Sequence, residues 1–268
     1  LRAILNSRRH LGEVKWSSVT ERNLPTYKLL VDEFFSQIAR HSLKYRQAFL
    51  DRQFVHISEP GAPMRSDLDV QFRLCYQFLK HHFGLKYLAD TNPECNHLII
   101  IRLDAHSSQR HTEQLAEFIG RLSHVLGSPR IIANVHYVDS KRLVRLQLCD
   151  LIMGAAGSHG NKMHLRREAG QRGMTSKQKS RFELAMYVYN SVRQLDASER
   201  GSKAFNWFES TGTDGDPRNR FHHKLRIWKI IPRKYQIDEG WQNSNLDSQG
   251  RYLGLRLNPR IMGRETKS

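Results

Sequence analysis

His97-Leu-Ile-Ile-Ile-Arg-Leu-Asp104 and Ile131-Ile-Ala-Asn-Val-His-Tyr-Val-Asp139 are two short apolar runs, each closed by an aspartate. Runs of this length have the pattern of buried central strands whose last residue emerges at the sheet edge. Between them Leu115, Phe118, Ile119, Leu122 and Val125 recur at helical spacing, predicting a helix over Gln114–Leu126 that Gly127 and Pro129 stop. After the second run, Leu143, Leu146 and Ile152 predict a helix over Lys141–Ala156, with Gly154 and Ala155 small enough for close packing. Strand, helix, strand and helix in this order argue for an α/β layered fold, a sheet covered by helices.

Working outward, residues Gly12–Trp16 alternate in character and predict a short strand. Tyr27, Leu30, Val31, Phe34, Phe35 and Ile38 predict an amphipathic helix from Pro25 to about Leu43. Gln47–Ser58 reads as a strand, Pro60-Gly-Ala-Pro63 as a break, and Asp67–Phe83 as a helix carrying Leu68, Phe72, Cys75, Tyr76 and Leu79 on one face. Downstream, Ser158–Arg181 is rich in Gly, Lys and Arg with no sustained period and is expected to be a mobile basic loop. A helix over Phe182–Leu195, a broken stretch over Ser198–Arg220 and a strand over Phe221–Ile231 follow. The division this suggests is an α/β core over 1–157, a basic flexible loop over 158–181, a helix and strand packing on the core over 182–243, and a basic tail over 244–268.

Lys and Arg number 43 against 26 Asp and Glu, a formal charge of +17. Such a field attracts polyanions, so a nucleic acid, DNA or RNA, is the expected partner. An acidic membrane surface is the weaker rival, because neither a concentrated amphipathic basic helix nor a lipidation signal occurs. No apolar run approaches the roughly 20 residues that span a bilayer, so no membrane insertion is expected. Cys75, Cys95 and Cys149 are too widely spaced for a zinc site and read as reduced thiols of a cytoplasmic protein. The histidines lack zinc spacing as well, His81-His82 and His222-His223 being adjacent pairs. The absence of a phosphate-cradling glycine loop, a Gly-x-Ser-x-Gly elbow and a dinucleotide fingerprint removes support for kinases, serine-type hydrolases and dehydrogenases.

The acids are where chemistry is expected. Asp104 and Asp139 close adjacent strands, and strand ends converge at one rim of an α/β sheet, although either could simply cap the helix after it. Asp150 sits mid-helix in Leu146-Gln-Leu-Cys-Asp-Leu-Ile-Met-Gly154, where a buried carboxylate without a partner would be expensive. A metal ion, a cation or an ion pair with Lys141 or an arginine is expected there. Glu13 and Lys15 flank Val14 and so share one face of an extended segment, Glu suited to metal or base work and Lys to phosphate charge. In the loop, Lys162, Arg166, Arg167, Arg172, Lys177, Lys179 and Arg181 stand against a single acid, Glu168, and form the candidate nucleic-acid-binding set.

Taken together, Gly12-Glu-Val-Lys-Trp16, Ile101-Arg-Leu-Asp104, Val138-Asp-Ser-Lys141, the Gln147-x-x-Asp150 helix and Asn219-Arg-Phe through Ile227-Trp-Lys229 come in the order of a known family. The chain resembles the bacterial family catalogued as domain of unknown function 3800, over roughly Gly12 to Pro232. That resemblance implies a ribonuclease-H-like fold, a layered sheet with helices on both faces, and an association with mobile elements and phage defence, where a protein partner would be expected. It further implies a metal-dependent nuclease. Glu13, Asp104 and Asp150 would hold Mg2+ or Mn2+, Asp139 would add a ligand or support, and Lys15 and Lys141 would neutralise the scissile phosphate. The family opens with Asp-Glu-Ser-Gly on its first strand, and that string does not occur here. Either the sequence starts after that strand, so that the first strands are missing from it, or a ligand has been lost and the protein is a non-catalytic nucleic-acid-binding or assembly subunit.

Overall fold

The computed structural model describes residues 13–51, 53–57, 74–75, 77–91, 94–104, 131–165, 173–200, 205, 210–232 and 234–238, with 113, 117, 121 and 124 as isolated positions. The structure is mixed α/β. Its principal elements are α1 (Leu24–Ala39), β1 (Tyr45–Leu50), β2 (Phe54–His56), β3 (His97–Asp104), β4 (Ile131–Val138), α2 (Val144–Gly160), α3 (Ser176–Arg200), β5 (Leu225–Ile230) and β6 (Tyr235–Ile237). Among the described residues no helix is long and apolar enough to cross a membrane. The expected break at Pro60–Pro63, nearly all of the helix over Gln114–Leu126, and the tail from Ser244 lie outside the described residues, as do Arg166, Arg167 and Arg172.

The core is built by the three helices. α1 buries Tyr27, Leu30, Val31, Phe34, Phe35 and Ile38, the very residues whose spacing predicts it, with Pro25 in its first turn. α2 buries Leu148, Leu151, Ile152, Ala155 and Ala156, and α3 buries Leu184, Ala185, Val188, Val192 and Leu195. These side chains form one cluster with Tyr45 and Phe49 of β1 and Leu225 and Ile227 of β5. Burying a Leu, Ile or Phe contributes about 1.5–3 kcal/mol each, so this cluster carries most of the favourable free energy of the described fold.

Among the described residues the strands pair two by two. β1 runs parallel to β5, with Tyr45 opposite Leu225 and Leu50 opposite Ile230. β3 runs parallel to β4, with His97 opposite Ile131 and Asp104 opposite Val138. β2 is antiparallel to β6. The predicted strand over Gln47–Ser58 is broken because the Asp51 carboxylate accepts the backbone and side-chain N–H groups of Gln53, a turn that redirects the chain into β2.

Three expectations are corrected. First, β3 is not a buried central strand: Ile101 is 8% exposed, but Leu98 is 60% and Ile100 50% exposed. Among the described residues β3 pairs with β4 alone, and alternate side chains of such a ribbon point away from it. Second, the basic loop is shorter than the composition suggests. α2 runs on to Gly160 and α3 starts at Ser176, so Lys177, Lys179 and Arg181 belong to a helix. The start of α3 is a capping box: Thr175 Oγ1 accepts the Gln178 N–H at 3.2 Å and Gln178 Oε1 accepts the Thr175 N–H at 2.8 Å. Third, residues 13–15 are not a strand; Trp16–Ser18 form a 3-10 turn that the extended residues before it lead into.

Candidate functional site

The extended residues 14–16 are held by side chains of α2. The Val14 N–H donates to Gln147 Oε1 at 3.0 Å and the Trp16 N–H to Asp150 Oδ2 at 3.1 Å. The spacing explains the match. Alternate N–H groups of an extended chain point the same way about 6.6 Å apart, and residues three apart on a helix are neighbours at about 5–6 Å. Gln147-x-x-Asp150 is therefore a two-rung receptor for this segment. The amide of buried Gln147 is used from both ends, because its Nε2 donates to the Ser140 and Lys141 carbonyls at 3.0 and 2.9 Å. One glutamine thus ties the residues around Glu13 to the turn after β4.

That turn collects the strand-end acids. Asp104 closes β3 and accepts the Ser140 N–H at 3.2 Å. Asp139 follows β4 and accepts the Lys141 N–H at 2.9 Å, capping the 3-10 turn Ser140–Arg142. The shared rim predicted for the two aspartates is present, and both also act as caps. Asp150 is exposed rather than buried. The cost expected of a lone carboxylate in an apolar helix does not arise, because Asp150 lies on the solvent side of α2.

Lys15 is the meeting point. Its ammonium contacts Glu13 Oε2 at 2.9 Å, as their common face predicts. The hydrogen bond that Lys15 donates to Glu13 raises the Lys15 pKa most; desolvation opposes it, and the charges of Glu13, Asp150 and Asp104 add to it. Glu13 is the carboxylate in contact with this cation, and the charges of Asp150 and Asp104 act on it from farther away. Glu13 Oε1 is buried and has no hydrogen-bond partner. Beneath the segment lies Tyr27, fully buried, whose phenol is pushed up by burial, then pulled down by the Lys15 backbone and raised by the Asp150 charge. Its place on a helix face gave no hint that it would sit under the acids.

Carboxylate oxygens are the donors that magnesium and manganese prefer. Among the described residues no group of three or more His, Cys, Asp or Glu is placed to hold a metal ion, so Glu13, Asp104 and Asp150 do not form one ligand set. Magnesium, however, is commonly held through one or two carboxylates, with water and substrate phosphate completing the shell. The cluster with its unpartnered Glu13 oxygen fits a site of that smaller kind.

The basic residues divide. Lys177 and Lys179 are exposed on the first turn of α3. Arg181 turns toward the acids' side of the molecule, donating from Nη2 to the Ser17 carbonyl at 2.6 Å with its guanidinium 6.0 Å from the Trp16 ring. Lys162 follows α2 in the left-handed conformation at φ 51°, its ammonium lowered by burial and supported by Asp51. Lys141 contributes its backbone to the turn.

No protein-family model, no curated protein and no solved structure matches the chain.

Proposed function

We propose that the protein is a divalent-metal-dependent nuclease of ribonuclease-H-like type, acting on phosphodiester bonds of DNA or RNA. The observation that carries this reading is that Glu13, whose carboxylate meets Lys15, and Asp150, which accepts the Trp16 N–H, both engage one short segment, in a chain whose net charge of +17 draws in polyanions. The sequence resemblance to the domain of unknown function 3800 family, if it holds at the level of function, would place that chemistry in phage defence or mobile elements. Asp150 and Glu13 would hold Mg2+ or Mn2+, Asp104 and Asp139 would support them from the strand rim, and Lys15 and Lys141 would face the scissile phosphate. The bound ion would supply an activated water and charge stabilisation at the leaving oxygen. Within the chain, Gln147 positions the Glu13 segment and Asp150 orients it by accepting the Trp16 N–H.

Cleavage of a mixed panel of DNA and RNA by the full protein with magnesium tests the proposal. Asp150→Asn keeps an acceptor for the Trp16 N–H but removes the charge, and is expected to lower cleavage about 100-fold or more. Equal cleavage by this variant, or no cleavage by the parent, overturns the nuclease reading. A second reading is favoured by one observation: each of the four acids is already engaged by its own chain, Glu13 by Lys15, Asp104 by Ser140, Asp139 by Lys141 and Asp150 by Trp16. On that reading the cluster is neutralised from within and the protein binds nucleic acid without cutting it. Salt-dependent binding without magnesium-dependent cleavage would be its signature.

A further inference from the structure

Along α2, Asp150, Gly154, Gly157 and Asn161 recur at helical spacing, so one stripe of the helix leads from the acidic cluster to a surface almost without side chains. The Trp16 side chain lies directly on that stripe: a Cβ at Gly154 would stand 2.3 Å from Trp16 Cγ, so only glycine permits the contact. Next to it opens a cavity of about 380 Å³ with Gly154 and Gly157 in its wall. Trp16, His164 and Phe182 bring rings to it, Asn161 and Gln178 bring amides, and Arg181 brings a cation.

Of these rings, His164 and Phe182 belong to a stack that continues away from the cavity wall. Tyr189 stacks on His159 at 4.5 Å, His159 faces His164 at 6.2 Å with the planes 16° apart, and His164 meets Phe182 at 4.4 Å. Burial, followed by the nearby His164 and Lys162, lowers the pKa of His159 to about 4, so this ring is uncharged at neutral pH. Arg181 Nε is buried and has no hydrogen-bond partner. The Ser17 carbonyl holds Arg181 Nη2, which fixes this cation at the cavity wall, where a phosphate oxygen is a matching counter-charge.

We propose that this cavity is a nucleobase pocket, which takes one base of a single-stranded nucleic acid against the Trp16 ring while Arg181 holds the phosphate of that nucleotide. The proposal rests on the nucleic-acid reading above and deepens it to a substrate class. The volume lies near the lower end of the roughly 300–1,000 Å³ of small-molecule sites, enough for one nucleotide and too small for a duplex. At a rise of about 1.5 Å per residue, the glycines sit roughly 6–10 Å along α2 from Asp150. Stacked nucleotides advance about 3.4 Å each, which puts the held base about two to three nucleotides from the acids. A strand must therefore be unpaired next to the place where the acids meet its backbone.

The test is a binding comparison in EDTA, which keeps it separate from cleavage. A single-stranded DNA hexanucleotide is compared with an abasic hexamer carrying the same phosphates, so that the contribution of the overall positive charge cancels. The full protein is expected to bind the intact strand about 5- to 150-fold tighter, the range for one stacked base. Trp16→Ala is expected to abolish that difference and Trp16→Phe to retain most of it. Gly157→Leu is the independent variant: a Cβ at Gly157 meets nothing within 4 Å, so the side chain fills the cavity without disturbing the helix, and it too should abolish the difference while the melting temperature holds. Equal binding of the two hexamers by the parent protein overturns the pocket, and so does a difference that survives Gly157→Leu. Magnesium-dependent cleavage with no base-dependent binding would overturn the pocket alone. Base-dependent binding here with no cleavage would uphold the pocket and overturn the nuclease. Failure to bind either hexamer would overturn both.

Discussion

The two parallel strand pairs invert what their sequences suggest. β3, His-Leu-Ile-Ile-Ile-Arg-Leu-Asp, carries an unbroken apolar run from Leu98 to Ile101, yet alternate residues of it face solvent. β1 and β5, Tyr-Arg-Gln-Ala-Phe-Leu and Leu-Arg-Ile-Trp-Lys-Ile, carry two arginines, a glutamine and a lysine, and most of their positions are buried. The β1–β5 pair accepts this because Arg46 and Lys229 are satisfied in place, although Arg226 is held only through Nη2, its Nε and Nη1 being buried without a hydrogen-bond partner. Arg46 donates to the carbonyls of Tyr45, Arg220, Phe221, His223 and Lys224, so its guanidinium fastens β1 to the turn entering β5. Burial, followed by the charge of Arg226, brings the pKa of Arg46 down to about 10, still well above neutrality. Lys229 of β5 meets Asp51, just after β1, at 2.9 Å with both side chains buried. Hydrophobic content locates strands; it is the supply of hydrogen-bond partners that decides which strand can be enclosed.

The comparison breaks most sharply at Arg46. Arg46→Ala should strip hydrogen bonds from several enclosed carbonyls at once, destabilising the protein by on the order of 4 kcal/mol or more in urea unfolding. A loss below about 1 kcal/mol would mean that the β1–β5 pair is not held through this side chain. A second test is acid. His82 is buried beside this pair, its ring within reach of the Arg226 carbonyl and 5.7 Å from Trp228. Burial, then the charges of Arg226 and Arg46, lowers its pKa to about 3, with the backbone carbonyls opposing. The unfolded chain takes up a proton near pH 6.5 and the folded ring does not, so this contribution to stability is intact above about 6.5. It is lost as pH falls toward 3, at up to about 1.4 kcal/mol per pH unit. His82→Gln should remove that share of the acid slope in urea midpoints measured across pH 6.5–4. The smallest effect belongs to the other pair: Ile100→Ser on β3 should change stability by no more than about 0.5 kcal/mol, since half of Ile100 already faces solvent. A larger loss would show that this face of β3 is covered in solution.

Much of the fold is legible in the sequence where a regular period is long enough to repeat. α1 lies where Tyr27 through Ile38 put it, and β3 and β4 have the predicted bounds. What the pattern could not supply was partnership. Nothing in Tyr45–Leu50 names Leu225–Ile230 as its neighbour, and hydrophobic alternation fails on strands enclosed through arginine and lysine. The start of α3 was legible in principle, in Thr175-Ser-Lys-Gln178, but a basic composition masked a capping box. In the candidate site, the shared rim of Asp104 and Asp139 and the common face of Glu13 and Lys15 follow from strand geometry. The engagement of Trp16 by Asp150 does not, because it needs the meeting of an extended segment and a helix distant in the chain. Trp16 was read only as the end of a short strand and of a family motif, and Tyr27 and Gly154 only as packing residues.

Tyr45 pairs with Leu225, and that register has a cost in time. On a ribosome adding about 5–20 residues per second, β1 would wait roughly 9 to 36 s for its partner strand to be made. Throughout that interval Arg46 lacks the carbonyls of residues 220–224, and for most of it the apolar side of α1 lacks the helices α2 and α3 that pack on it. The helical part of the core cannot close before Arg200 has been made, and β1 is completed later still, after a long loop has closed. Newly made protein is thus exposed to aggregation and proteolysis through β1 and the apolar side of α1. A chain stalled before Lys224 would leave the ribosome with its most polar buried strand unpaired.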